Sequence, residues 1–325
     1  MEMKPIKGFA FIPLMILGIP GNVYIMIKFI LVRVIEKKLL PTSIIHIVLA
    51  LMNLLVLLAR GTPEYMYITG FQHLLNDAAC KLIVYTYRTS RAMSISITSL
   101  LSCHQCILIA PTTRVWVSLK QRMSKIMVVI IIVIFIINML LYSSSVTFAH
   151  AKSNSTNSLY TLHLVSCRTD FLTQVSFIVN GTLLVVKDFI LVALMTLAST
   201  YIVNILLHHQ KSIKDIRSSH NVGKSIEYKA SRAVILLVVL YVVLFGLDSS
   251  LGIYSLIYAG PDMNDARVIL ACSYSALSPI LIIATNPKLH DVNCLKLSKL
   301  QNCNENSENK TQLSWVSKYN DEKKN

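Results

Sequence analysis

The sequence predicts an all-α membrane protein: a seven-transmembrane helix bundle with its N-terminus outside the cell and its C-terminus in the cytoplasm. Of the 325 residues, 54% are hydrophobic and only 14% charged, a balance that a soluble domain of this length does not use. Apolar runs of roughly the 20 residues that a helix needs to cross a bilayer recur seven times. Lys and Arg gather in alternate connections between the runs, twelve in one set and five in the other. The positive-inside rule places the richer set in the cytoplasm.

The first run, Phe9–Val32, is longer than the apolar stretch of a secretory signal and ends without a small-residue cleavage site. It reads as a retained first helix behind a short extracellular N-terminus, residues 1–8. Ser43–Gly61 is the second span, reached through a connection holding Arg33, Lys37 and Lys38, and Ala79–Ala110 is the third. Lys125–Phe148 is the fourth, after a connection with Arg114, Lys120 and Arg122. Thr182–Leu207 and Ala233–Ala259, the fifth and sixth, flank the most basic connection, which carries Lys211, Lys214, Arg217, Lys224, Lys229 and Arg232. Val268–Thr285 is the seventh. The helical domain thus covers residues 9–285, and residues 286–325, rich in Asn, Lys, Ser and Glu, are expected to form a disordered cytoplasmic tail.

The net charge of +15 is not a nucleic-acid signature, because the basic residues sit in membrane-edge loops rather than on one soluble face with stacking aromatics. Its role there is topology and attraction to anionic inner-leaflet lipid. Cys80 opens the third span and Cys167 lies in the long outer loop, so both face an oxidising compartment and can form a disulfide. Cys103, Cys106, Cys272, Cys294 and Cys303 are expected to be unbridged thiols, with Cys294 placed for palmitoylation shortly after the last span. Asn154-Ser155-Thr156 is a glycosylation acceptor in the same outer loop.

Enzyme signatures fail in turn: there is no phosphate-binding loop, HExxH, GxSxG or Cys/His zinc spacing. No catalytic activity, cofactor or metal is expected. A retinal protein needs a lysine within the seventh span, and Val268–Thr285 has none. A transporter should show paired Gly/Pro-interrupted helices in matching halves, and no such pairing is present.

What stands out instead is charge inside the spans. An ionised side chain at the bilayer centre costs at least about 2.5 kcal/mol unless it is paired or faces water. The third span carries Arg88 and Arg91, i and i+3 on one face with Tyr85 and Tyr87 nearby. At 1.5 Å per residue they lie roughly 12 to 17 Å below Cys80. Asp188 sits early in the fifth span and Asp248 past the midpoint of the sixth, so all four can converge on one cavity in the outer half. Two readings stay open: the arginines pair with Asp188 and Asp248 and lock helices together, or at least one keeps donors for a ligand's carboxylate, sulfate or carbonyl.

Several segments together resemble the vomeronasal type 1 receptors, a family of seven-helix G-protein-coupled receptors for pheromones and other chemical cues. They are Gly21-Asn22, the run from His46 to Asn53, Cys80-Lys81, Tyr85, Arg88, Arg91, Ser94-Ile95, Leu100-Leu101-Ser102, Gln105, Ala110-Pro111, Trp116, Leu119-Lys120, Lys187-Asp188, His208 to Lys211, Glu227 and Ser278-Pro279. The bitter taste receptors share the seven-helix plan, but their LAxSR second-helix motif is missing. The resemblance implies a multi-pass plasma-membrane receptor. A small organic ligand would be held by Tyr87, Arg88, Arg91, Asp188 and Asp248, between the third, fifth, sixth and seventh helices. The implied partner is a heterotrimeric G protein of the Gi/Go class. His104-Gln105-Cys106 stands where rhodopsin-like receptors have Asp-Arg-Tyr, and Asn53 where most have a sodium-binding aspartate. G-protein contact is therefore expected from His104, Gln105, Lys120 and Lys211.

Overall fold

The computed structural model describes residues 4–36, 40–68, 76–110, 113–151, 161–163, 167–170, 174–215, 222–258 and 263–285. Among them, in chain order, are α1 (Lys4–Glu36), α2 (Pro41–Ile68), α3 (Asp77–Ile109), α4 (Arg114–Leu141), α5 (Ser144–Phe148), β1 (Ala149–Ala151), β2 (Thr161–His163), β3 (Cys167–Asp170), α6 (Gln174–Asp215), α7 (Val222–Tyr258) and α8 (Met263–Thr285). Helices α6, α7 and α8 are the expected fifth, sixth and seventh spans. Among the described residues six helices are long and apolar enough to cross a membrane, and a shorter apolar stretch, Ile269–Thr285, lies in α8.

Most helices outrun the apolar runs, because the backbone continues to bond to itself where it leaves the hydrocarbon. Helix α4 begins at Arg114, eleven residues before the expected Lys125, so the second basic connection is largely helical. It ends at Leu141 rather than Phe148. There Ser143 caps the turn, its hydroxyl donating to the Leu140 carbonyl at 2.8 Å, a local bond by which serine competes with helix continuation. Helix α3 starts under Asn76, whose side chain accepts from the Ala79 amide at 2.9 Å.

The helical bundle carries one small addition in the loop that follows α5. The loop after α5 pairs as a three-stranded antiparallel sheet in the order β1-β3-β2, with Ala151 opposite Cys167 and Thr161 opposite Asp170. Strands of three or four residues are too short to show period-two alternation. The central strand carries Cys167, which is disulfide-bonded to Cys80 with an S–S distance of 2.04 Å. The sheet is therefore tied to the start of α3.

Helix α3 is the hub, packing on α2, α4, α6 and α7. Within its span 67% of residues are buried, against 17% for α4. It is also the least hydrophobic span, since a helix enclosed by other helices can carry polar groups that its neighbours satisfy. Where α1 meets α2 and α8, Gly18 permits close approach: an added Cβ would lie 2.5 Å from Leu57 Cδ1 and 2.8 Å from Ala276 Cα.

Polar bonds then cross the interior. Pro279 has no N–H, so the Ser275 carbonyl one turn earlier loses its helical partner. The Asn22 amide of α1 donates to that carbonyl at 2.9 Å. Asn53 of α2 accepts from Ser94 at 2.6 Å and donates to Ser278 at 2.8 Å, joining α2, α3 and α8.

Candidate functional site

At the disulfide end of the bundle the intramembrane charges sort into two groups. Arg91 Nη2 donates to Asp248 Oδ2 at 2.8 Å, tying α3 to α7. Asp188 takes Lys187 instead, at 3.3 Å. The Lys187 ammonium also donates to Asn138 Oδ1 and the Tyr142 hydroxyl, each at 3.2 Å, and so joins α6 to α4. Thus α3 reaches α7 through Arg91, while the Asp188 carboxylate of α6 pairs with the neighbouring lysine of its own helix. Arg88 is half-buried on the α3 face it shares with Arg91.

Around Arg91 and Asp248 lies a cavity walled by Tyr241, Phe245 and Tyr274. Tyr241 and Tyr274 meet edge to face with centroids 5.1 Å apart, and Tyr241 stacks on Phe245 at 5.8 Å. Below them Tyr274 shares a 2.7 Å hydrogen bond with Thr98. Sequence reasoning missed these aromatics, although Tyr241, Phe245 and Asp248 stand at i, i+4 and i+7, one face of α7. The cavity holds about 20 Å³, enough for roughly one water molecule. Small-molecule pockets occupy about 300 to 1,000 Å³, so this conformation is closed to a ligand.

Tyr87 stands between two cations. Its hydroxyl accepts from Arg91 Nη1 at 3.5 Å, and the Arg60 guanidinium of α2 lies 5.7 Å from its ring centroid. Arg60 is only 9% exposed. It lies near the end of the second span, and only packing brings α2 beside α3 there.

At the other end of α3, His104 and Gln105 are each 4% exposed, enclosed rather than presented. The Lys120 ammonium donates to the Ala110 carbonyl at 3.0 Å, holding the start of α4 to the end of α3. Lys211 is in α6, with its side chain outside the described residues, as are Asn154 and the tail with Cys294 and Cys303. Cys103, Cys106 and Cys272 take part in no disulfide. Among the described residues no group of His, Cys, Asp and Glu has the arrangement of a metal site.

Comparison with known proteins gives a family match over nearly the whole chain. The vomeronasal organ pheromone receptor family matches residues 6–294. Olfactory receptor class A-like protein 1 of Danio rerio is 37% identical over 287 residues, covering 87% of this chain and 90% of that protein. Vomeronasal type-1 receptor 1 of Homo sapiens is 27% identical, covering 86% and 80%. Vomeronasal type-1 receptor 48 of Mus musculus is 27% identical, covering 86% and 92%.

Proposed function

We propose a function from one premise: this chain belongs to the vomeronasal organ pheromone receptor family. It is a chemosensory G-protein-coupled receptor of the plasma membrane, a multi-pass protein and not an enzyme. Beyond that, we infer seven crossings with the N-terminus outside, as the twelve-to-five distribution of basic residues supports. Residues 1–8 are then the outer segment, 9–285 the receptor domain and 286–325 the cytoplasmic tail. Asn154 is a glycan site, and the disulfide end is the ligand-entry end.

The ligand is a small organic cue of the pheromone type, taken up between α3, α6, α7 and α8. The observation that carries this reading is the state of Arg91. One terminal nitrogen is committed to Asp248 at 2.8 Å, while the other has only a 3.5 Å contact with the Tyr87 hydroxyl. That nitrogen can exchange a weak bond for a ligand's carboxylate, sulfate or carbonyl, and Tyr241, Phe245 and Tyr274 supply the apolar wall. Arg88, Asp188 and Tyr87 would complete the rim.

Growth of the cavity from about 20 Å³ to ligand size must separate α3 from α7 and α8. A ligand that binds the separated state more tightly shifts the population toward it; equal affinity for both states shifts nothing. At the far end the same movement would uncover His104 and Gln105 beside Lys120 and Lys211, giving a Gi/Go-class G protein its contact.

The test is ligand-stimulated GTP exchange in cells expressing Gi/Go proteins, screened with acidic, sulfated and neutral volatile compounds. Wild type is compared with Arg88→Ala and Arg91→Ala. Loss of response at normal surface expression is expected, and unchanged responses in both variants would defeat the arginine anchor. Stimulation through other G proteins alone would defeat the Gi/Go assignment.

A further inference from the structure

At the end of the bundle away from the disulfide, the start of α4 has a groove of its own. It holds about 470 Å³ and is lined by Arg114, Val115, Ser118, Leu119 and Arg122, within the size range of small-molecule sites. At about 100° per residue, these positions centre on the face opposite Lys120, whose ammonium donates to the Ala110 carbonyl at 3.0 Å. One side of α4 thus holds the bundle while the other carries the groove. Arg114, Ser118 and Arg122 are exposed. The chain has no Asp or Glu between Asp77 and Asp170, and among the described residues no carboxylate pairs with Arg114 or Arg122.

An exposed arginine needs no partner in water; what marks these two is the surface that continues from them. Val129, Ile132, Ile136 and Leu140 follow Arg122 on the same face, 50 to 69% exposed. Only 17% of the α4 span is buried. A basic groove that opens onto an apolar strip has the shape of an amphiphile with an anionic head. Arg114 and Arg122 stand eight residues apart, roughly 12 Å along the axis, with Ser118 midway. Each planar fork takes a phosphate in bidentate fashion. A headgroup phosphorylated at both ends spans that separation better than a single phosphodiester.

We propose that the α4 groove binds a phosphoinositide of the cytoplasmic leaflet. Its ring phosphates meet Arg114 and Ser118, its glycerol phosphodiester meets Arg122, and its acyl chains lie along Val129 to Leu140. From the receptor reading the proposal takes only the cytoplasmic placement of this end. To the general attraction of basic loops to anionic lipid it adds a defined site and a preferred headgroup.

The experiment follows the thermal unfolding midpoint of the full-length receptor purified in detergent, at matched ionic strength. The probes are dioctanoyl phosphatidylinositol bisphosphate, dioctanoyl phosphatidylserine and soluble inositol trisphosphate. The bisphosphate lipid is expected to raise the midpoint by linkage, at concentrations about 5- to 10-fold below those of phosphatidylserine. Arg114→Gln and Arg122→Gln, exposed positions whose substitution leaves folding nearly unchanged, should each need about 5- to 10-fold more of it, the loss of one charged contact. Lys224→Gln, the same charge change in the most basic connection, should titrate as wild type.

Unchanged titrations in both arginine variants overturn the proposal. So do equal potency of phosphatidylserine or an equal loss in Lys224→Gln, since either would mean diffuse charge rather than a site. Equal potency of the trisphosphate would mean a site for free phosphate esters, which overturns the lipid assignment. Placement is read separately. Gln121 is exposed beside the groove, and Gln121→Cys in cells should gain label over wild type from a membrane-impermeant maleimide only after permeabilisation. Label gained in intact cells overturns both the topology and the lipid site, whereas the cytoplasmic result with a failed titration overturns the lipid site alone.

Discussion

Removing the Asn22 amide tests how the bundle tolerates a proline in its last helix. Pro279 cannot supply the N–H that would bond the Ser275 carbonyl, and Asn22 Nδ2 reaches that carbonyl from α1 at 2.9 Å. The same nitrogen touches the Gly18 carbonyl at 2.8 Å. In Asn22→Ala the Ser275 oxygen is left buried and unbonded, a loss of about 1 to 3 kcal/mol. At about 2 to 4 °C per kcal/mol, the purified receptor should melt about 2 to 12 °C lower. Pro279→Ala restores the missing N–H, so in that background Asn22→Ala should cost only the mean intramembrane hydrogen bond, about 0.6 kcal/mol. The assay is thermal unfolding of the four proteins of this double-mutant cycle. A loss on removing Asn22 that is the same with proline or alanine at position 279 would refute the reasoning, because no coupling would then exist between the two sites.

Arg91→Ala and Asp248→Ala should each lower stability by about 2 kcal/mol, between the values for exposed and fully buried pairs, as thermal unfolding would show. The double variant should lose less than the sum; full additivity would mean that the 2.8 Å pair contributes nothing. Gly18→Ala should cost about 1 to 3 kcal/mol through overpacking against Leu57 and Ala276. Gly246→Ala, where nothing lies within 4 Å of the new Cβ, should be neutral or stabilise by up to about 1 kcal/mol, as surface expression and melting would show. Asn154→Gln should abolish a glycosidase-sensitive gel shift; a receptor with no such shift would count against the outward orientation of that loop.

How far the sequence reaches differs from element to element. Seven apolar runs were legible because lipid demands about 20 apolar residues in a row, a local property. Their ends were less so. The basic start of α4 and the extensions of α6 and α7 are helical without being apolar, and hydropathy records solvent rather than backbone hydrogen bonding. The β1-β3-β2 sheet escaped notice because its strands are too short for a pattern. In the candidate site, Arg88, Arg91, Asp188 and Asp248 announced themselves as charges in apolar surroundings. Tyr241 and Tyr274 did not, since aromatics in a membrane helix are ordinary until packing turns them toward a common space.

By itself the sequence determined that the chain lives in a membrane as a helical bundle, that its family is the vomeronasal type 1 receptors, and that α3 carries the unusual charge. Each follows from composition, periodicity or ordered motifs, which need no knowledge of neighbours. Only the tertiary structure decided which charges meet: Arg91 with Asp248, Asp188 with its adjacent Lys187, and Arg60 with the face of Tyr87. Pairing depends on helix rotation and crossing, which side chains over the whole bundle set together. A charge read along the chain has a depth but no partner until the helices are packed.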